Sequence, residues 1–256
     1  MSIECETRDG LATVRINRPE KRNALNVDMR IQLADTFEAL GQDRSVRAVV
    51  LCGAGKGFCA GADVELMGGR DIAAGRNRMR HLHRMVRSIY HLEKPVVAAV
   101  QGAAVGVGWS LAMCCDAVIA ADNARFSQIF KRLALAPDGG AVYLLARQLG
   151  FARAKELVLS GRFLNAAEAH TLGLVQQVVT EDKLLGTAEA LAREYGSAST
   201  LAVGLTKRLF EAALAPSFDE FLDLELMVQP ALTQTPDHAE GKLAFQEKRD
   251  PVFGGV

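Results

Sequence analysis

The chain reads as an α/β protein built on a mostly parallel sheet, and three observations predict it. Short uncharged runs, Ala48-Val-Val-Leu-Cys52, Pro95-Val-Val-Ala-Ala-Val100 and Ala117-Val-Ile-Ala120, have the length and composition of strands buried on both faces. Stretches with apolar residues at helical intervals lie between them. From Asp138 onward strand signals become sparse while helix starts multiply.

Taken in order, Leu11-Ala-Thr-Val-Arg-Ile16 is β-like and Val27 to Leu40 has helical apolar spacing. Ala48 to Cys52 is a buried strand. Met79, Leu82, Met85, Val86 and Ile89 then repeat as on one helical face, and Val96 to Val100 is strand again. Ser110 to Cys115 reads as helix and Ala117 to Ala120 as strand. This βα alternation implies crossover helices on a parallel sheet. Asn165-Ala-Ala-Glu168 and Ser217-Phe-Asp-Glu220 have capping-box spacing, and Thr235-Pro236 offers an N-cap followed by proline at the first helical position. The chain therefore divides into a core at 1–199 and a helical region at 200–256. Leu201, Leu205, Leu209, Phe210, Phe221, Leu222, Leu224 and Leu226 give that region more apolar surface than a small helical hairpin covers alone.

The chain has 256 residues and 49% apolar composition, enough for one generous domain or a core domain with a small subdomain. Thirty basic against thirty acidic residues leave no long-range field for nucleic acid or an anionic membrane, so an anionic ligand has to be held by local groups. Five cysteines without a C-x-x-C pair fit a reduced, cytoplasmic setting. The first residues, Met-Ser-Ile-Glu-Cys-Glu-Thr-Arg-Asp, are too charged for a signal peptide. Pro95 to Ala121 is almost uncharged, but glycines from Gly102 to Gly108 interrupt it, as suits strand, loop and buried helix better than a membrane span. His81 and His83 are two residues apart on a helix and make a poor metal pair. No metal site is expected, and Cys114-Cys115 reads as core.

Two loops of small residues follow strand-like runs: Gly53-Ala-Gly-Lys-Gly-Phe-Cys-Ala-Gly-Ala-Asp63 and Gln101-Gly-Ala-Ala-Val-Gly-Val-Gly-Trp109. Small side chains leave backbone N–H groups uncovered, and two such donors aimed at one point near a helix start would hold a developing oxyanion. That arrangement suits a thioester carbonyl becoming an enolate. Either loop alone could equally be a tight turn packing a strand on a helix.

Phe58-Cys-Ala-Gly-Ala-Asp63 and the block Lys94 to Gly108 resemble the two signature segments of the enoyl-CoA hydratase/isomerase (crotonase) superfamily. Asn17-Arg-Pro-Glu-Lys-Arg-Asn-Ala-Leu-Asn26 resembles its N-terminal signature. The resemblance runs from about Val14 to Lys248. It implies a crotonase-like spiral of ββα units with a helical C-terminal region, an acyl-CoA substrate that brings its own coenzyme A, no separate cofactor, and a homotrimer or dimer of trimers. It also implies oxyanion donors at the backbone N–H groups of Ala62 and Val107. Arg22, Ala24 and Ala60 match positions along the CoA path, and Phe245 and Lys248 match C-terminal residues that reach CoA in the same or a neighbouring subunit. Some relatives bind RNA, which the zero net charge argues against here.

The chain departs from the family pattern at the chemistry. The two glutamates with which hydratases of the family activate water correspond to Ser110 and Phe130, and neither replacement can act as a general acid or base near neutral pH. With Trp109 they are placed along the acyl pocket. Asp138, in Leu135-Ala-Pro-Asp-Gly-Gly140, remains. Pro-Asp-Gly is a common turn and the aspartate could cap a helix starting near Gly140. The same segment resembles the 1,2-epoxyphenylacetyl-CoA isomerase branch of phenylacetate degradation and related Δ3,Δ2-enoyl-CoA isomerases, which implies a single catalytic carboxylate shuttling a proton across an enolate. Double-bond or epoxide-ring isomerisation is the leading reading. The alternatives are dehalogenation or thioester hydrolysis with Asp138 as nucleophile, a hydratase of other specificity, with Glu65 as a residual carboxylate, and an inactive acyl-CoA-binding member. Residues Glu65 to His83, containing Met67-Gly-Gly-Arg70 and Ala73-Ala-Gly75, are expected to fold over the pocket as a mobile cover.

Overall fold

A computed structural model describes residues 2–66, 71–213 and 217–255. In chain order the elements are β1 (Ile3–Arg8), β2 (Leu11–Ile16), α1 (Val27–Gln42), β3 (Ala48–Gly53), α2 (Ile72–Tyr90), β4 (Val96–Val100), β5 (Ala103–Val105), α3 (Val107–Cys114), β6 (Ala117–Ala121), β7 (Arg125–Ser127), α4 (Ala141–Ser160), β8 (Leu164–Asn165), α5 (Ala166–Thr171), β9 (Gln177–Val179), α6 (Glu181–Gly196), α7 (Thr200–Ala212), α8 (Phe218–Leu232) and α9 (Pro236–Glu247). The helices expected around 27–40 and 79–89 are present, and the second extends back to Ile72, where the Asp71 carboxylate caps it by accepting from the Ala73 N–H. Residues 72–83 of the expected cover are thus helix, and Met67 to Arg70 lie outside the described residues.

The main sheet has the order β1-β2-β3-β4-β6-β9. β1 and β2 form an antiparallel hairpin whose turn, Asp9-Gly10, has φ of 49° and 76°, the positive values that a tight hairpin connection needs. Every later pairing in this sheet is parallel. A second, small sheet joins β5, β7 and β8. Its strands are two or three residues long, too short to show an alternating pattern in the sequence.

Helices cover both faces of the main sheet, which is why its strands read as unbroken apolar runs. In β3, Val49 and Leu51 face the core shared with α1, α2, α3 and α4, while Ala48, Val50 and Cys52 face Leu184, Ala188 and Ala192 of α6. The buried Lys94 ammonium sits at the C-terminal end of α1, donating to the Leu40 and Asp43 carbonyls. The Asn165, Ser217 and Thr235 side chains cap their helices as their spacing predicts, Ser217 with Glu220 in a full capping box. The C-terminal segment returns to the foot of β3, where the Arg47 guanidinium donates to the carbonyls of Gly196, Ala198 and Phe253. α8 packs on α7 and leaves Phe218, Leu226 and Met227 exposed.

One side chain fastens the N-terminal signature to the strand–loop layer. Asn23 is fully buried at φ 58°. Its Nδ2 donates to the carbonyls of Ala54 (2.9 Å) and Gly57 (2.7 Å), and its Oδ1 accepts from the Arg18 N–H (2.9 Å). Truncation takes the partner from three partly buried backbone groups, each worth about 1–3 kcal/mol where water cannot replace it. Asn23→Ala is expected to lower the unfolding free energy by about 3 kcal/mol or more in urea melts, and a loss under about 1 kcal/mol would contradict this account.

Candidate active site

Three loops meet at the C-terminal ends of the parallel strands. The N-terminal signature pairs with the loop after β3: Ala60 N–H donates to Arg22 O (3.0 Å), Leu25 N–H to Gly61 O (2.8 Å) and Asp63 N–H to Leu25 O (3.0 Å). That loop pairs in turn with the loop after β4, through Phe58 N–H to Gln101 O (2.8 Å), Cys59 N–H to Ala103 O (3.0 Å) and Val105 N–H to Cys59 O (3.0 Å). The Gln101 side chain is buried and donates to Gly53 O and Gly55 O. Arg18 reaches across to Asp63 at 2.6 Å, and this hydrogen bond holds the Asp63 carboxyl below its ordinary proton affinity.

Glycines make this contact possible. A Cβ on Gly108 would stand 2.2 Å from the Cys59 carbonyl oxygen, and one on Gly61 would stand 2.7 Å from the Val105 carbonyl oxygen and 3.8 Å from the Val107 nitrogen. Gly61 also has φ 98°, a left-handed value that disfavours a side chain. The loops that carry Ala62 and Val107 are therefore pressed together. Val107 is the first residue of α3, whose N–H has no intrahelical acceptor. Ala62 forms a parallel bridge with Leu25 through its two neighbours, so its own N–H turns to the opposite side. Among the described residues neither N–H donates to a backbone carbonyl.

Ser110 and Phe130, the residues expected where hydratases of the family carry glutamates, both lie beside Gly106. Ser110 is fully buried on the first turn of α3, and its hydroxyl has one proton to donate to either Gly106 O (3.3 Å) or Asp138 O (3.2 Å). Phe130 lies in a short 3-10 helix, Ile129–Leu133, with its ring 3.5 Å from where a Cβ on Gly106 would stand. Trp109 is buried with its ring centroid 5.8 Å from that of Phe126, packing the core side of α3. Gly139 is pressed on the same turn, since a Cβ there would meet Ser110 Cβ at 3.0 Å and Val107 Cγ2 at 3.1 Å.

Asp138 does not cap α4 with its side chain. Gly140 occupies the N-cap position at φ 80°, and Ala141 N–H bonds the Asp138 carbonyl instead. The Asp138 Oδ1 atom is buried with no hydrogen-bond partner. Burial pushes its carboxyl above the ordinary value, against the opposing pull of the Arg30 and His83 charges. A cavity of about 400 Å³ opens beside this loop, bordered by Gly139, Gly140, Leu144, Val86, Tyr90 and Cys114.

The sequence reading missed Arg30. It lies on α1 in a buried series with Ala34 and Phe37, at the i, i+4, i+7 spacing of an inward helical face, so a charge in an apolar stripe was the available signal. The remaining expected site residues lie further out. Arg22 is exposed at φ 52° and Ala24 half-buried on the signature loop, next to half-buried Ala60. Phe245 is 86% exposed near the end of α9, and Lys248 follows as its C-cap. Glu65 is exposed and ion-paired to Lys21 at 2.8 Å. Burial pushes the Cys59 thiol up to about 12, so it stays protonated inside the loop contact. Among the described residues no cluster of potential metal ligands occurs, and no helix is long and apolar enough to cross a membrane.

The profile of the enoyl-CoA hydratase/isomerase family matches residues 6–256. The chain belongs to this family. It is 40% identical over 250 residues to the 1,2-epoxyphenylacetyl-CoA isomerase of Escherichia coli K12, covering 96% of this chain and 95% of that protein. It is 36% identical over 253 residues to the crotonyl-CoA hydratase of Syntrophomonas wolfei, covering 98% and 97%. An enoyl-CoA hydratase from Polaromonas sp. JS666 superposes with a TM-score of 0.94 at 31% identity, covering 98% of this chain and 99% of that one. The α/β architecture is thus the crotonase fold, and the protein is a family enzyme acting on acyl-CoA thioesters.

Two outcomes follow from this geometry. Gly108→Ala should force the two loops apart and cost about 1–3 kcal/mol of stability, with loss of acyl-CoA binding in titrations; unchanged melting and binding would refute the close approach. Asp138→Asn removes a carboxylate that burial disfavours. Because the native carboxyl holds its proton to higher pH than the unfolded one, wild-type stability falls as pH rises between the two values. The melting temperature of Asp138→Asn relative to wild type should rise across the same interval and level off above it. A flat or falling difference would be inconsistent with a raised Asp138.

Proposed function

We propose that this enzyme isomerises an unsaturated or ring-derived acyl-CoA, with Asp138 as its single acid/base. The observation that carries this reading is the Asp138 carboxyl itself, half-buried with an unpartnered Oδ1 and raised proton affinity, on a loop whose next residue touches the first turn of α3. The positions of the two hydratase carboxylates hold Ser110 and Phe130, which cannot move protons near neutral pH. The 40% identical relative named as an isomerase supports the same direction.

In this reading the Ala62 and Val107 N–H groups donate to the thioester oxygen, and more strongly once it becomes an enolate oxygen. The ionised Asp138 takes a proton from one carbon of the acyl group, electrons shift toward the thioester, and the carboxylic acid so formed returns the proton two carbons along. The proton taken equals the proton returned, and no water is consumed. Arg22, Ala24 and Ala60 line the CoA path at the surface. The acyl group, flanked by Ser110 and Phe130 with Trp109 behind them, extends toward the cavity at Gly139–Gly140. Phe245 and Lys248 contact CoA from α9 within a homotrimer or dimer of trimers. The exposed apolar side chains of α8 support such an assembly.

The test is conversion of a cis-3-enoyl-CoA to its conjugated 2-enoyl isomer. Asp138→Asn should lower kcat by about 10²–10⁴ with acyl-CoA binding kept, and wild-type kcat should lose activity as pH falls through a value above the ordinary aspartate range. Equal turnover in both proteins would remove Asp138 from the chemistry. The second reading, hydration, is favoured by the relative named crotonyl-CoA hydratase. Product carrying oxygen from labelled water would decide for it.

A further inference from the structure

Two cavities share a wall at Tyr90 and Cys114. The cavity of about 400 Å³ beside the Asp138 loop is bordered by Gly139, Gly140 and Leu144, and also by Tyr90 and Cys114. A larger cavity, of about 880 Å³, is bordered by the same Tyr90 and Cys114 together with Pro95, Ala202, Val203 and Phe210. These two residues alone border both. Pro95 precedes β4 and the other three belong to α7, so the larger cavity lies at the opposite end of the sheet from the loops that carry Ala62 and Val107. Asp116 on its border is paired with Lys207 at 2.8 Å, and Glu211 with His91 and Arg208, so most of the charge there is spent within the chain.

Helix α3 connects this wall to the reacting end. Val107, Ser110 and Cys114 fall at i, i+3 and i+7, on one face of the helix. Gly139 packs on the first two and borders the cavity that Cys114 also borders. From Val107 to Cys114 a helix rises about 10 Å. An extended chain advances about 1.2 Å per bond, so an acyl group covers that distance with about eight carbons. There it meets Tyr90, the last residue of α2, whose ring stands edge-on to His91 with centroids 5.2 Å apart. Cys114 is small and belongs to the buried core, so the tyrosine ring makes up the larger part of the wall.

We propose that Tyr90 is the residue that sets acyl length: a group of about eight carbons ends against its ring, and the larger cavity behind it is closed to substrate. This rests on the acyl group extending toward the Gly139–Gly140 cavity, as in the reading above, but not on the isomerase chemistry. Each methylene that enters an apolar cavity strengthens binding, and one held outside adds nothing, so affinity rises with chain length until the ring is reached. Removing the ring joins the two cavities and moves that limit outward.

Saturated straight-chain acyl-CoAs of four to twelve carbons test this by calorimetric titration, without turnover. In wild type the affinity should rise about two- to fourfold per added carbon and level off near eight. In Tyr90→Ala the rise should continue, so that the twelve-carbon thioester gains about tenfold or more over the eight-carbon one. Tyr90→Phe keeps the ring and should keep the wild-type limit, and Tyr90→Leu, a milder truncation, should move the limit outward by less than Tyr90→Ala. Ala202→Phe, which fills the larger cavity from α7, should leave the wild-type series unchanged and restore the limit when combined with Tyr90→Ala. A wild-type series that keeps rising through twelve carbons would overturn the proposal, as would a limit that stays in place in both Tyr90→Ala and Tyr90→Leu. Affinity independent of chain length in wild type would overturn the placement of the acyl group as well. Failure of Asp138 as the acid/base leaves all these affinities untouched.

Discussion

The structure depends on the docking of two loops, one after β3 and one after β4, at a distance only glycine allows. Gly108 lies against the Cys59 carbonyl and Gly61 against the Val105 carbonyl, with backbone hydrogen bonds on either side. This contact gives α3 its starting point and brings the stretches that carry Ala62 and Val107 side by side. The parallel strands set where the loops begin, but the absence of two side chains sets how closely they meet. Buried polar side chains, Asn23 and Gln101, tie this contact to the neighbouring turns and satisfy carbonyls that would otherwise be stranded in the interior.

Around that rigid junction the charges are treated unequally. Asp63 is neutralised by Arg18 and belongs to the scaffold. Lys94 spends its charge on the carbonyls at the end of α1. Among the described residues, Arg30 Nε and Asp138 Oδ1 have no hydrogen-bond partner. An orphaned buried polar atom costs stability, so this junction is less well satisfied than the scaffold around it.

Much of this was legible in the sequence because the relevant signals are local. Buried parallel strands announce themselves as apolar runs, and the caps at Asn165, Ser217 and Thr235 fall where spacing places them. The loops were recognisable by their small residues. The second sheet was not, since strands of two or three residues carry no period and exist only through pairing with distant segments. Asp138 shows the same limit from the other side: Pro-Asp-Gly predicts a turn correctly, but whether its carboxyl caps the helix depends on Gly140 taking the cap position. Arg30 was readable only as an interruption of an apolar stripe, and its meaning needed the neighbours that tertiary structure supplies.

The contact between Gly139 and Ser110 has a consequence for how this scaffold can change. The Asp138 loop lies so close to α3 that a Cβ on Gly139 would already meet Ser110 Cβ at 3.0 Å. A glutamate at position 110 would need the volume that this loop now fills. A longer side chain at position 110 and the present course of the 137–140 loop therefore exclude one another. A chain that lengthened the first would have to redraw the second, and Asp138 would move with it.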